Sequence, residues 1–141
     1  MPDPVVLFAM IVVLLPMGYF LLAAPAFLLV SLDIEAVARL LRVMFNGYFL
    51  TMISADMIGI LAFVLDGRFV VAMVFALVLA FAFAARRWFL QRMDAQIRAR
   101  DAGDADAARQ LRRLHWGGML SNAVELAAIV ACIPYITVAT T

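Results

Sequence analysis

Two reactive residue types are nearly missing from this chain, which has one cysteine, Cys132, and one histidine, His115. A single cysteine cannot form a disulfide within the chain, and one cysteine with one histidine falls short of a standard zinc site. On a continuous helix Cys132 would lie roughly 25 Å from His115 at ~1.5 Å per residue, so the two do not form a nucleophile with its base. We therefore predict no catalytic residue and no metal site, and the sequence identifies no particular cofactor.

Charged residues are also scarce, at 15% of the chain against 67% hydrophobic residues. Soluble domains carry roughly 25% charged and 45–50% apolar residues, and the mean hydropathy here is +1.05. Apolar runs near the roughly 20 residues that cross a bilayer occur at 5–30, 43–65, 69–85 and 115–138. We predict an all-α, integral membrane four-helix bundle that forms one transmembrane domain over residues 1–141. Its helices are expected at about 5–30, 33–65, 69–100 and 104–138.

Lysine is absent, so all eleven basic residues are arginines, and they are unevenly distributed. The first and third loops and their flanks hold all of them except Arg68, which lies in the second loop. Because positive residues favour the cytoplasmic side, we predict a multi-pass protein of the bacterial inner membrane with both termini periplasmic. The start, "MPDPVVLFAM", lacks the positive segment and cleavage site of a secretory signal, so the first run should remain as a helix. We assign the arginines to topology and anionic lipid rather than to nucleic acid.

The first inner loop is bounded by recognisable helix signals. Pro25 should disturb the end of helix 1, because proline has no backbone N–H. In "SLDIEAVARLLR", Ser31 or Asp33 is expected to be the N-cap of helix 2. Glu35 and Arg39 should form an ion pair four residues apart.

The third helix is predicted to continue past the membrane, because "RRWFLQRMDAQIRAR" consists of good helix formers before "DAGD" interrupts it. Within it, Asp94 should pair with Arg98, and Asp104 or Asp106 should cap helix 4. Helices 3 and 4 would then project from the membrane as a cytoplasmic hairpin by roughly 20 Å. This hairpin is either a docking site for a partner or a solvated turn with balanced charges.

Polar residues inside the apolar runs share one face of each helix. On helix 4, the residues that recur at spacings of three and four are His115, Gly118, Asn122, Glu125, Ile129 and Cys132. On helix 2, the corresponding face carries Arg42, Asn46, Phe49, Ile53, Asp56 and Phe63. The candidate ligand- or proton-binding residues are Asp56, Glu125, His115, Asn122 and Asn46.

The two intramembrane acids are the strongest of these candidates. Asp56 and Glu125 are expected roughly 20 Å and roughly 15 Å from the cytoplasmic boundary, facing each other near the middle of the membrane. Two ionised carboxyls cannot remain adjacent there, so they would share a proton or hold a positive ligand. The alternative is a structural hydrogen bond between helices with one or both carboxyls protonated.

The remaining candidates also have two interpretations each. His115, beside Trp116, is either an interfacial anchor or a proton relay or ligand-binding group. Asn46 and Asn122 are either interhelical hydrogen-bonding residues or ligand contacts.

Small residues also recur at a spacing of four, which lets helix backbones approach closely. They are Gly47, Thr51, Ala55 and Gly59 on helix 2, Ala72, Ala76, Ala80 and Ala84 on helix 3, and Ala123, Ala127 and Ala131 on helix 4. On helices 2 and 4 they lie opposite the polar faces, so these helices should pack on two sides. This pattern predicts a crowded bundle, a homo-oligomer or a subunit of a larger membrane complex.

Two segments carry a resemblance to a known group. "MGYFLLAAPAFLLVSLDIEAVARLLRVMFNGYF" and, much later, "LRRLHWGGMLSN" resemble the transmembrane-protein-205-like family of uncharacterised four-helix membrane proteins. The matching positions are Gly18, Phe20, Pro25, Phe27, Leu32, Ala36, Arg42, Phe45, Tyr48, His115, Leu120 and Asn122. The last three follow an H-x-x-x-x-L-x-N spacing, although "HWGG" stands where the family favours "HG" followed by serine. The resemblance implies a fold and a topology, since the biochemistry of the family is largely undefined.

Three classes of function are consistent with these features. The first is a binding or transport protein whose polar residues accept a proton, a cation or a small amphiphile. The second is a non-catalytic accessory subunit attached to a larger complex by the small-residue faces and the arginine-rich hairpin. The third is a haem- or redox-linked membrane enzyme, in which His115 would act with a methionine or with a second chain.

Overall fold

The helices follow the apolar runs, and their ends depend on local chemistry. The computed structural model describes the backbone of residues 3–137, and their side chains apart from 132 and 135–137. The elements are α1 (Pro4–Ala23), a 3₁₀ helix (Ala24–Leu28), α2 (Glu35–Leu65), α3 (Phe69–Asp101) and α4 (Ala107–Thr137). Within this part of the chain there is no strand. The prediction of an all-α fold with four helices is confirmed.

The first loop confirms two local predictions and corrects a third. The α-helix ends at Ala23 and tightens into the 3₁₀ helix, which has Pro25 in its first turn. The ion pair of Glu35 and Arg39 forms, at 2.6 Å. The expected cap of α2 is wrong: Ile34 occupies the N-cap position without a side-chain hydrogen bond.

Ser31 and Asp33 bond to each other instead of capping α2. The Ser31 hydroxyl donates to the Asp33 carboxylate at 3.1 Å and accepts from the Asp33 N–H at 3.3 Å. Such local bonds compete with helix capping. They keep both residues in the loop, so α2 begins at Glu35 rather than at 33.

The turn between α3 and α4 is longer than expected, because α4 begins at Ala107 rather than at 104. The Asp104 carboxylate accepts a hydrogen bond from the Asp106 N–H at 2.8 Å. Gly103 adopts φ +92°, a left-handed conformation that glycine tolerates best. A polar turn at residues 102–106 therefore joins α3 to α4.

The four helices pack in a ring in which each contacts the next, so α1 meets α2, α2 meets α3, α3 meets α4, and α4 meets α1. Consequently α2 and α4 lie diagonally opposite each other. One end, which we term the arginine-rich end, carries loop 29–34 and the α3–α4 turn at 102–106, and there Arg112 of α4 donates to the carbonyls of residues 27, 28 and 30. At the opposite end, which we term the N-terminal end, Arg68 of the α2–α3 turn lies 3.9 Å from Asp3.

An aromatic cluster fills the centre of the ring nearer the arginine-rich end. Phe45 of α2 is fully buried, and its ring lies 5.2 Å from that of Phe20 and 5.6 Å from that of Phe89. Gly118 of α4 lies against the same ring, where a methyl group would overlap it. The absence of a side chain at Gly118 therefore lets Phe45 fill the space between the diagonal helices.

The outer surface is strongly apolar. Among the described residues, three helical segments are long and apolar enough to cross a membrane, at Pro4–Leu28, Glu35–Leu65 and Phe69–Asp101. Large side chains such as Leu22 and Leu65 are 83% and 78% exposed. Soluble monomers rarely expose apolar surface on this scale, so the fold indicates a membrane protein.

Candidate functional site

Asn122 connects three helices. Its amide oxygen accepts a hydrogen bond of 2.8 Å from the Tyr48 hydroxyl on α2. Its amide nitrogen donates to the Met17 carbonyl on α1 at 3.2 Å. Asn122 is 2% exposed, and these two bonds use both ends of its amide group. Its position matches the interhelical interpretation of this residue.

Asn46 is held at a different place, on the side of α2 that faces α3. Its side-chain oxygen accepts two hydrogen bonds from the Arg86 guanidinium, at 2.7 and 3.2 Å. One turn earlier on α2, Arg42 forms a two-pronged pair with Asp94 of α3, at 2.7 and 3.0 Å. Asp94 was expected to pair with Arg98. It pairs instead with Arg42 across the helix interface, because a carboxylate and a guanidinium can meet side-on there.

His115 is fully buried, although it was expected near the membrane boundary. Its ring meets those of Phe27 and Phe45 edge-on, with centroids 6.0 and 6.1 Å apart. Neither ring nitrogen makes a hydrogen bond of good geometry to a described residue, although the Ala24 carbonyl interacts favourably with the ring. The interpretation of His115 as an interfacial anchor is wrong, since the exposed neighbour is Trp116.

Glu125 is half-buried on α4, between the interior and the outer surface. Its carboxylate accepts a hydrogen bond from Ser121, one turn earlier on the same helix, at 3.2 Å. On one side it borders the small interior space beside Tyr48 and Phe49. On the other it lines an open groove between α3 and α4. Glu125 therefore faces both the core and the outside of the bundle.

Asp56 is the fully buried acid among the polar candidates. It is 0% exposed on α2, and neither carboxyl oxygen has a hydrogen-bond partner among the described residues. Buried polar groups are paired in the great majority of cases, so an exception calls for a specific explanation. Here the explanation lies in the space beside the carboxyl group.

That space is a cavity of about 250 Å³, which we term the Asp56 cavity. All four helices contribute to its wall, and apart from Asp56 the residues that line it are apolar: Met10, Val13, Val74, Phe75, Val78, Ala128 and Ile129. Phe75 is buried, while Val74 and Ala128 are exposed at the rim. The cavity therefore opens between α3 and α4 on the apolar outside of the bundle.

The ring of Phe75 forms part of this wall because Gly59 makes room for it. A methyl group on Gly59 would lie 2.6 Å from two ring carbons of Phe75. Phe63, which is fully buried one turn later on α2, packs against the same ring, with centroids 5.2 Å apart. The spacing of small residues on α2 predicts close helix packing at Gly59, but the contact of Gly59 with Phe75 beside the cavity appears only in the folded bundle.

The expected pair of acids does not form. Asp56 and Glu125 share no hydrogen bond, and they border different spaces: Asp56 lies level with Ile129, and Glu125 lies level with Phe49. The reason is the diagonal placement of α2 and α4 around a core of aromatic rings. The two groups remain near enough to repel each other when both are ionised.

The five sequence candidates therefore occupy several separate environments. Asn122 and Glu125 border the same small interior space, His115 lies closer to the arginine-rich end, Asn46 belongs to the α2–α3 interface, and Asp56 belongs to its own cavity. Sequence reasoning missed Tyr48 and Arg86 as partners of the two asparagines. Tyr48 lies on α2 two residues after Asn46, and Arg86 lies on α3, which carries no candidate residue. Spacing along one helix therefore reveals neither partnership.

Comparisons with known proteins add no assignment to this geometry. No family model, no curated protein and no solved structure matches the chain.

Proposed function

We propose that the protein is an integral membrane protein that binds, and transports, a proton, a cation or a small amphiphile at Asp56. One observation supports this proposal above all others: a fully buried carboxyl group without a hydrogen-bond partner borders an apolar cavity. Intramembrane acids are expensive and generally mark a binding site or a pathway. A residue with a purely structural role would be expected to have a partner.

The environment of Asp56 also indicates how the site would work. An isolated carboxylate in an apolar cavity is unfavourable, so the ligand-free carboxyl should hold a proton. A cation that enters the cavity supplies the missing positive charge, and the carboxyl then releases its proton. Charge neutrality is thus maintained by either a proton or a cation.

The contacts of the other candidates favour supporting roles. Asn122 and Asn46 already use their side chains to join helices, and His115 is surrounded by aromatic rings. Glu125 lies close enough to influence the charge of Asp56. We therefore place binding at Asp56 and assign Glu125 an electrostatic influence on it.

Infrared spectroscopy of the purified protein tests this proposal. Wild-type protein should show a protonated-carboxyl band that disappears as the pH is raised, and Asp56→Asn should remove that band. Asp66→Asn is the matched control, because Asp66 is exposed in the α2–α3 turn. A spectrum that Asp56→Asn leaves unchanged at every pH would reject Asp56 as the binding group.

The proposed topology places both termini in the periplasm and the α3–α4 turn in the cytoplasm of a bacterial inner membrane. Single cysteines should be introduced at Asp66 and Ala105, both exposed, in a Cys132→Ser background. Gly67 and Gly103, in the same two turns, are poorer positions because both have positive φ. An impermeant reagent added from outside should label only residue 66. Labelling of both residues from the same side would refute the topology and the cytoplasmic hairpin.

An accessory subunit is the second candidate. In its most apolar window only 17% of α3 is buried, and a groove of about 660 Å³ follows α3 and α4 past Leu77, Gly117 and Leu120. Lipid or another subunit would cover this surface. The mass of the protein purified in mild detergent distinguishes these cases, since a stable larger assembly would favour the accessory role. A haem-linked enzyme is less consistent with the structure, because Phe27 and Phe45 occupy the space around His115.

A further inference from the structure

We propose that the ligand of the Asp56 cavity is an amphiphilic organic monocation, which enters sideways from the membrane between α3 and α4. This inference rests on the proposed function of Asp56 and specifies the chemical class of the ligand. The composition of the cavity wall, the cavity volume and the position of the opening all favour such a ligand.

The wall is unsuitable for an inorganic cation. Hard cations take several oxygen ligands, whereas the described wall offers a single carboxyl group among apolar side chains. The second acid, Glu125, bonds to Ser121 and borders a different space. A desolvated metal ion would therefore lose far more hydration than the site returns. A protonated amine attached to an apolar body needs only one opposite charge and an apolar surface.

Phe75 adds a second feature that suits a cation. Aromatic faces attract ammonium groups, and Phe75 is the aromatic residue among those that line the cavity with Asp56. Its ring packs against Gly59 and Phe63 of α2. A cationic group in the cavity can thus contact a carboxylate and an aromatic ring together.

The volume limits the size of the ligand. A cavity of roughly 150 Å³ accommodates benzene, so about 250 Å³ leaves room for a molecule of about ten non-hydrogen atoms. An aromatic ring with a short aminoalkyl chain has these dimensions.

The opening indicates the route of entry. The exposed rim residues Val74 and Ala128 belong to α3 and α4, and both lie among apolar surface residues such as Met73 and Val124. In the proposed topology this rim faces the acyl chains of the bilayer. An amphiphile that partitions into the membrane can reach it without crossing the polar ends of the bundle.

Binding exchanges one proton for one cation. The ammonium group of the ligand pairs with the Asp56 carboxylate, and the proton held by the empty site leaves to the solvent. Among the described residues, the charged group that acts on Asp56 is Glu125 of α4, when ionised. Glu125→Gln should therefore shift the pH at which this exchange occurs without abolishing it.

Calorimetry with matched probes tests the class of ligand. The probes are 2-phenylethylamine, its neutral analogue propylbenzene, the anion 3-phenylpropionate, and NaCl or KCl alone, each added to the full-length protein in mild detergent. We expect the amine to bind with release of a proton and loss of the Asp56 carboxyl band in the infrared spectrum. Asp56→Asn should weaken amine binding by about tenfold or more, because it removes a charge-assisted contact. Propylbenzene binding should change little.

A second pair of variants tests the opening without changing Asp56. Ala128→Phe places a large ring at the rim and should slow or prevent amine binding. Ala127→Phe adds the same ring at the neighbouring exposed position, which is not among the lining residues, and should leave binding unchanged. Equal effects of the two substitutions would overturn entry between α3 and α4.

The outcomes separate this inference from the proposed function. Loss of the Asp56 band with Na⁺ or K⁺ but not with the amine would overturn the organic cation and retain cation binding at Asp56. Amine binding that is equal in wild type and Asp56→Asn would show partition into detergent or lipid and also overturn the inference. A carboxyl band that responds to neither pH nor any probe would reject both proposals.

Discussion

Several charged and amide side chains pair across helices near the arginine-rich end, whereas the buried carboxyl group of Asp56, farther toward the N-terminal end, has no such pair. Near the arginine-rich end, Arg42 pairs with Asp94, Arg86 with Asn46, and the Arg112 guanidinium donates to the carbonyls of residues 27, 28 and 30. Toward the N-terminal end, Asp56 lies beside an apolar cavity with both oxygens unpaired. Partnered polar groups contribute to stability, whereas an unpaired one costs stability. The paired groups hold the helices together, and the unpaired carboxyl group is the basis of the binding role that we propose for Asp56.

The boundary between the region of paired polar groups and the region around Asp56 lies close to the middle of the bundle. Tyr48 and Asn122 form a hydrogen-bonded link between α2 and α4, and Asp56 follows two turns of α2 later. Between these levels the contacts of α2 are mainly apolar, through residues such as Met52 and Ala55. Around Asp56 the four helices meet mainly through apolar side chains, and their packing leaves the cavity open.

The largest effect on stability is expected at Gly118, where a side chain would disrupt the aromatic cluster around Phe45. Gly118→Val would collide with Phe45, whose ring is enclosed by other aromatic rings and cannot move freely. We expect a loss of about 3 kcal/mol in the free energy of unfolding, measured by denaturant titration in detergent. Gly117→Val is the control, because nothing lies within 4 Å of that position. Similar losses for both variants would contradict the role of Gly118.

A smaller loss in the free energy of unfolding is expected from Asn122→Ala, which removes the hydrogen bond between α4 and Tyr48 of α2. The Tyr48 hydroxyl would remain buried without its acceptor, and we expect destabilisation by about 2 kcal/mol. Adding Tyr48→Phe to this variant should recover part of the loss, because it removes the orphaned hydroxyl. A double variant that is no more stable than Asn122→Ala would show that the bond contributes little.

Asp56→Leu should increase the free energy of unfolding, in contrast to the two preceding substitutions. Leucine removes the unpaired carboxyl and fills part of the cavity, so we expect stabilisation by about 1 kcal/mol. The same variant should lose amine binding. Unfolding in detergent and calorimetry with 2-phenylethylamine measure the two effects on one preparation. A destabilised variant would indicate that Asp56 has a structural partner and would remove the functional contrast between the ends.

The smallest effect is expected at the half-exposed ion pair of the arginine-rich end. Arg42→Ala should cost about 1 kcal/mol or less, since water screens a pair whose side chains are 35% and 36% exposed. Arg39→Ala should cost still less, because Arg39 and Glu35 are each 62% exposed. Combining each arginine variant with the alanine variant of its acid, in a double-mutant cycle, isolates the pair energies. Equal coupling energies would mean that the two-pronged geometry of Arg42 and Asp94 adds nothing.

The sequence by itself determined the elements of this protein. Runs of apolar residues predicted four helices, and Pro25 and the paired Glu35 and Arg39 marked local features that the structure confirms. These properties depend on residues close together in the chain, where helix period, capping and proline chemistry act. The misplaced cap of α2 shows the limit even of local reasoning, because Ser31 and Asp33 had an alternative partner in each other.

Only the tertiary structure decided which polar groups meet. A helical pattern shows that Asp56 and Asn46 share a face of α2, but not which neighbouring helix that face meets or at what height. The ring order of the helices placed α2 diagonally from α4, paired Asn122 with Tyr48, and kept Asp56 from bonding to Glu125. The Asp56 cavity likewise depends on how Phe75 packs against Gly59, a contact between residues far apart in the chain. Side-chain shape and helix rotation in three dimensions set these features, and neither is encoded in the spacing of residues along one helix.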